Sequence, residues 1–302
     1  MDKFSWSPIQ PAKVLEESRA PRFRPEWRDV LLSYFGIGRG MDVLEVCCGP
    51  GTFAPYLAED IRPGSVTGLD LDEEFILRAQ AKAKAAGMAD LRYVVGDAYA
   101  LPFPDATFDA VTSYTGIGVL NDPAKAMAEM VRVCRPGGVV SVAEAVTGPS
   151  GITFHGVDDL QDPEPYPGAR RFRELQERLR ASHSGGAPGL GSRTWPAKAL
   201  WGLLPALGLK DVQLHAWGHV LAPDDSRLSL EHRLRLRDLE HEELAQGLTW
   251  QMSTGAPTAL SREELAEMIE LSSRRRDWAC THPLWDWEAS LSTVAMAHKP
   301  RL

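Results

Sequence analysis

No apolar run in this chain approaches the roughly 20 residues needed to cross a bilayer. The opening residues, Met1-Asp2-Lys3-Phe4-Ser5-Trp6-Ser7-Pro8, also lack the apolar stretch of a secretory signal. Both absences point to a cytoplasmic protein without integral membrane contact. Cysteine is scarce: Cys47, Cys48, Cys134 and Cys280 are the four in 302 residues. They form no C-x-x-C pair and no Cys/His zinc spacing, so buried or half-buried thiols in a reducing compartment are expected rather than disulfides or a metal. Positive charge is in deficit as well. Lys and Arg number 33 against 41 Asp and Glu, a formal net charge of −8. That balance offers no whole-chain footprint for nucleic acid.

What is present is an ordinary globular composition, 44% hydrophobic and 25% charged, in a length that suits one elaborated domain or a core with a smaller addition. A mixed N-terminal cap segment (1–24) precedes a helical pattern from Pro25 to Phe35, which Gly36, Gly38 and Gly40 end. Short apolar runs then alternate with helical patterns: strands at Val43–Cys48, Ser65–Leu69, Leu91–Val95, Asp109–Tyr114 and Val139–Val146, with helices at Thr52–Glu59, Asp72–Ala86 and Pro123–Cys134. This alternation is the signature of βαβ units on a parallel sheet, with ligands expected at the carboxyl ends of the strands.

Those ends carry the chemistry. The first strand closes on Gly49-Pro50-Gly51, a turn through which backbone N–H groups can approach a ligand closely. The second ends in Asp70, about twenty residues on, where a carboxylate can accept both hydroxyls of a ribose. The third ends in Asp97, placed to accept an adenine amino group. A nucleoside fits all three. The full G-x-G-x-x-G turn of dinucleotide folds is absent because Cys47 occupies the first glycine position. Glu45 would repel a diphosphate and suit an ammonium-bearing amino-acid tail, so NAD ranks behind S-adenosylmethionine (SAM).

Four segments then resemble one family. Val43-Leu44-Glu45-Val46-Cys47-Cys48-Gly49-Pro50-Gly51 is similar to motif I of the class I SAM-dependent methyltransferases. Gly68-Leu69-Asp70-Leu71-Asp72 resembles the acidic second motif, and Gly96-Asp97-Ala98 through Val111 the motif of the branch containing the ubiquinone and menaquinone C-methyltransferases. Arg132 through Gly138 matches that branch's turn after the helix. The resemblance implies a Rossmann-like, doubly wound α/β sheet of seven strands, mostly parallel with the last antiparallel. It implies SAM as cofactor and S-adenosylhomocysteine (SAH) as its product. Glu45, Cys47, Gly49, Pro50 and Gly51 would surround the methionine moiety, Asp70 the ribose, and Leu71, Asp97 and Ala98 the adenine. Tyr114 would close the site. Cys47 departs from the family's glycine, and its side chain either points away or narrows the methionine pocket.

The core (25–147) should be completed by a helix from Thr194 to Leu207, a sixth strand at Val212–Trp217 (within 194–221) and a last strand near the C-terminus (290–302). Two insertions remain, a helical lid (148–193) and a substrate cap (222–289). Aromatic residues are only 8% of the chain, yet seven of its nine tryptophans follow position 190. They either pack the added helices or line an apolar pocket or a homodimer interface. The basic run at 169–180 and Arg274-Arg275-Arg276 read as solvated helix faces, and Gly185–Gly191 as a hinge. For a general base the candidates are His155, then Tyr114, Glu144 and His219. His155 with Asp158 and Asp159 makes no recognised metal spacing, so no metal is expected. The expected function is methyl transfer to O, N or C of an apolar or aromatic small molecule. A quinone C-methyltransferase and a SAM-binding scaffold with little turnover are the alternatives.

Overall fold

The computed structural model describes residues 6–7, 10–62, 64–145, 154–155, 164–182, 197–221, 223–226, 228–282 and 288–301. Five strands, β1 (Asp42–Val46), β2 (Ser65–Asp70), β3 (Leu91–Val95), β4 (Phe108–Tyr114) and β5 (Cys134–Ala145), pair in parallel in the order β3-β2-β1-β4-β5. The last strand, β8 (Glu288–His298), runs antiparallel between β5 and β7 (Lys210–Leu221), as the resemblance implied. An eighth, two-residue strand, β6 (Phe154–His155), was not anticipated; it pairs with Ala289 and Glu288 beyond the end of β5.

The strands bury both faces, and their side chains divide with period two. Val43, Ala110, Val139, Ala143, Val294 and Met296 join one core, shared with α2 (Arg28–Phe35), α3 (Phe53–Ala58) and α4 (Glu73–Ala85). Leu44, Val111, Val140, Val142, Ala295 and Ala297 join the opposite core, against α5 (Pro123–Val133) and α7 (Ala197–Ala206). Helix α5 shows why: Ala126, Met127, Met130 and Val133 recur at helical spacing and are fully buried. Each large side chain there is worth about 2 kcal/mol. Asp122 caps it from the Lys125 N–H, and Pro123 takes the first-turn position where no N–H is needed.

The insertions form a third, smaller core. Phe172 and Leu175 of α6 (Ala169–Ser182) pack with Leu248 of α8 (Leu230–Thr254) and with Leu265, Met268 and Leu271 of α9 (Arg262–Ala279). This corrects two expectations. The basic face of α6 is solvated only in part: Arg170 is exposed and Arg171 pairs with Glu174 one turn on, but Arg171 also meets Glu267 at 2.8 Å and Arg178 meets Glu264 at 2.5 Å across the interface. Arg275 likewise reaches Glu240 of α8 at 2.6 Å, although Arg274 does make the expected pair with Glu270 one turn back. Cys280, expected to be at least half-buried, is exposed, while Cys48 and Cys134 are buried and Cys47 half-buried. The Gly185–Gly191 hinge, Asp158, Asp159, Trp195, Trp285 and Trp287 lie outside the described residues.

Candidate active site

Strand order reverses between β1 and β4, and the crevice above that point is where such sheets bind ligands. The turn after β1 is held from several sides. The Cys48 N–H donates to the Leu69 carbonyl at 3.0 Å, and the Gly49 N–H donates to Asp70 Oδ2 at 2.8 Å. Lys82 donates to the Pro50 and Gly51 carbonyls at 3.3 and 3.0 Å. Gly51 has φ +70°, and a Cβ there would lie 2.5 Å from the Tyr93 hydroxyl, so only glycine fits.

Glu45 points from the middle of β1 onto the α3 face. It is 2% exposed and accepts a backbone N–H from Ala54, but its Oε2 has no hydrogen-bond partner among the described residues. Burial, then Asp70, pushes its carboxyl well above the usual range. Asp70 has one backbone donor on each oxygen, Gly49 on Oδ2 and Asp72, at 2.9 Å, on Oδ1. Burial raises its carboxyl too, and those N–H groups oppose the rise. Asp97 is exposed and accepts the Tyr99 N–H at 2.8 Å, with Ala98 buried behind it. Leu71 is half-buried beside Asp70.

These groups converge on Cys47. Its thiol is raised first by burial and then by the fields of Asp70, Glu144, Glu45 and Asp97. A thiol so surrounded stays protonated and is no nucleophile. Cys47 also adopts φ +59°, a left-handed conformation unusual outside glycine. Its Cβ leans on Gly116, just after β4, where any Cβ would collide with it. The side chain therefore turns toward the β4 loop, and a missing Cβ at Gly116 makes room for the one that glycine would have lacked at position 47.

Tyr114 ends β4 within an aromatic cluster. Its ring meets Phe23 edge-on at 4.9 Å, Phe53 at 5.5 Å and Trp217 of β7 at 6.0 Å, and its buried hydroxyl has no partner among the described residues. Glu144, near the end of β5, accepts the Gly118 N–H at 2.8 Å. Burial raises its carboxyl to about 7 against that hydrogen bond and against the nearby Arg19 cation. His155 lies on β6 across from Glu288, and His219 on β7 across from Ser290; the side chains of both lie outside the described residues. Among the described residues no three metal-ligating side chains cluster.

The N-terminal segment supplies parts that the sequence reading missed. Trp6 and Ser7 donate backbone N–H groups to Asp72 Oδ2 at 3.0 and 2.9 Å, while Asp72 Oδ1 caps α4. Helix α1 (Ala12–Arg19) then crosses the glycine turn, bringing Leu15 beside Gly49. Glu16 pairs with Arg78 and Lys82 of α4 at 2.8 and 3.0 Å, and Glu17 pairs with Arg235 of α8. Arg19 and Phe23 are thereby delivered to the site. A run of helix formers after Pro11 was the available signal, but eight residues are too few to stand as a helix without tertiary packing.

Residues 43–138 match the family of the methyltransferase domain. This segment of the core is therefore a methyltransferase domain. The demethylmenaquinone methyltransferase of Geobacillus kaustophilus is 37% identical to it over 120 residues, 39% of this chain and 51% of that protein. The chain thus spans about half the length of the curated relatives it matches. Among solved structures, phosphoethanolamine N-methyltransferase 2 of Haemonchus contortus, in complex with phosphomonomethylethanolamine and SAH, has a TM-score of 0.54 at 16% identity, covering 98% of this chain and 58% of that one. The [4+2]-cyclase SpnF has a TM-score of 0.50 at 18% identity, covering 92% and 81%. At such identities the methyltransferase core shares its fold with these structures, and the fold alone does not name the reaction. The insertions and the N-terminal arm lie outside the matched segment. Among the described residues, no helix of the chain is long and apolar enough to cross a membrane.

Proposed function

We propose that this chain transfers a methyl group from SAM to a small molecule, apolar or aromatic in body, at the carboxyl edge of β1, β2, β4 and β5. The observation that carries the reading is Asp70 at the end of β2, held by the Gly49 and Asp72 N–H groups, together with the buried, unpartnered Oε2 of Glu45 on β1. The residues present suit the cofactor. Asp70 accepts backbone N–H groups from Gly49, Asp72 and, more weakly, Leu71, and its carboxylate keeps lone-pair capacity for a ribose hydroxyl. The unpartnered, buried Oε2 of Glu45 suits an ammonium group, whose charge would offset the cost of keeping that carboxylate ionised. Asp97 with Ala98 would hold the adenine edge, Leu71 its face, and Gly49, Pro50 and Gly51 the methionine chain. SAM would supply an electrophilic methyl carbon on a sulfonium that departs as a neutral thioether.

The chain's own work is then orientation, exclusion of water and proton removal. Helix α1 covers the turn, and Tyr114 with Phe23, Phe53 and Trp217 forms an apolar wall. Glu144, raised to about 7, is poised to take a proton from an acidic acceptor near neutral pH. This places Glu144 ahead of His155 as the base, with Tyr114 positioning the acceptor. A nucleic-acid acceptor is not favoured at a net charge of −8. A quinone acceptor is the second reading, favoured by the name of the curated relatives.

The test is an incubation of the protein and a metabolite extract with isotopically labelled SAM, followed by mass identification of labelled products. One labelled small molecule, absent with Asp70→Ala, is expected. SAM binding without any labelled product would instead identify a scaffold, and a labelled prenylated quinone would select the second reading.

A further inference from the structure

Among the described residues, two guanidinium groups at the N-terminal edge of the site have no ion-pair partner. Neither Arg19, at the end of α1, nor Arg22, three residues on, makes an ion pair or a side-chain hydrogen bond among the described residues, and Arg22 Nε is buried without a partner. The other arginines of this segment differ: Arg24 meets Glu26, and Arg28 meets Glu59 and Asp60. Arg19 is half-buried and lies within electrostatic reach of Arg22, Glu243, Tyr114 and Glu144. The two carboxylates in that set are engaged elsewhere. Glu243 Oε1 accepts from Gln10 Nε2 at 2.6 Å, and Glu144 Oε1 accepts from Gly118.

A half-buried cation without a counter-ion is costly, and the planar fork of arginine matches a carboxylate or other oxyanion. The next residue after Arg22 is Phe23, whose ring meets the Tyr114 ring, and the Tyr114 hydroxyl is itself buried and unpartnered. Cation, hydroxyl donor and aromatic wall therefore stand together above the ends of β4 and β5.

We infer that Arg19 and Arg22 form the anion-binding end of the acceptor site, so that the molecule methylated is an aromatic acid, its ionised carboxylate held by the two guanidinium groups and its ring against Phe23 and Tyr114. This rests on the proposed methyl transfer and narrows its acceptor. The charge arrangement supports it. Burial and the neighbouring Arg22 lower Arg19 to about 10, and a bound anion would offset both. In the transfer itself the acceptor's second acidic group, a hydroxyl, gives its proton to Glu144. Its oxygen bonds to the methyl carbon as the carbon–sulfur bond breaks, with the electron pair staying on sulfur.

Calorimetric titration tests this with four probes: salicylate, 4-hydroxybenzoate and their two methyl esters, on protein with and without saturating SAH. At least one acid should bind at least tenfold more tightly than its ester. Arg19→Gln and Arg22→Gln should each bring that acid toward the ester's affinity, whereas Arg170→Gln, on the exposed face of α6, should not. Esters binding as well as acids, no acid binding at all, or discrimination that survives both arginine substitutions would overturn the inference. Retention of SAH binding by the two variants shows that they are folded. Failure of SAH to bind the unaltered protein would count against methyl transfer, while the acid-to-ester ratio without SAH still decides the anion site.

Discussion

Replacing Glu144 by Gln should stabilise the protein at alkaline pH and impair it as a catalyst. The carboxyl is 9% exposed and raised to about 7, against 4.5 for an ordinary Glu side chain. Between those values the folded state holds a proton that the unfolded state has released. Its contribution to stability is therefore fully present below about 4.5 and is lost as pH rises through about 7. At about 1.4 kcal/mol per pH unit, the loss is about 3 kcal/mol. Gln keeps an oxygen for the Gly118 N–H, holds no titratable proton, and leaves every other titrating group in place. The difference between variant and parent isolates this one group. Urea unfolding of both proteins across this range should show the variant gaining on the parent as pH rises, then a constant offset of up to about 3 kcal/mol. The same substitution should lower turnover while leaving SAH binding unchanged. A stability difference independent of pH would refute the placement of Glu144 as a buried, proton-holding carboxyl.

Gly116→Ala should destabilise by about 2 kcal/mol, because the new Cβ meets that of Cys47. In a Cys47→Gly background, measured by a double-mutant cycle in urea, much of that cost should vanish, and strictly additive effects would show that the two positions do not compensate each other. Asp224→Ala should cost about 3–5 kcal/mol, since it leaves Arg237, 4% exposed and 2.6 Å from that carboxylate, as a buried cation without its partner; a loss under 1 kcal/mol by urea unfolding would contradict the burial of the pair. Glu45→Gln should weaken binding of SAM at its ammonium end, read by calorimetry, without unfolding the protein; unchanged affinity would remove Glu45 from the cofactor site.

The half of the chain built from βαβ units was legible because its signals are local. Leu44, Val46, Val140 and Val142 alternate with residues of the other face, Asp72 and Asp122 cap helices next to them in sequence, and the strand-end carboxylates follow from where each apolar run stops. The antiparallel place of β8 was legible only through the family resemblance. What escaped depends on partners distant in the chain. The arginines of α6 look solvated until Glu264 and Glu267 are brought to them from some ninety residues on. Helix α1 is held by Arg78, Lys82 and Arg235, and the residues before it by Asp72, none of them near it in sequence. Trp217 was read as a strand residue, and its position beside Tyr114 follows from β8 holding β7 within the same sheet. The conformation of Cys47 was equally hidden, because the space it needs is provided by a glycine sixty-nine positions away.

The central claim is that the edge formed by Glu45, Asp70 and Asp97 is a SAM site. Calorimetric titration with SAH tests it most directly, comparing the parent protein with Asp70→Ala and with Arg170→Ala as control. The account predicts one saturable site in the parent and in the control, lost or weakened by about a hundredfold in Asp70→Ala, as expected for losing a hydrogen bond to a charged acceptor. No binding by the parent protein, or equal binding by Asp70→Ala, would contradict it.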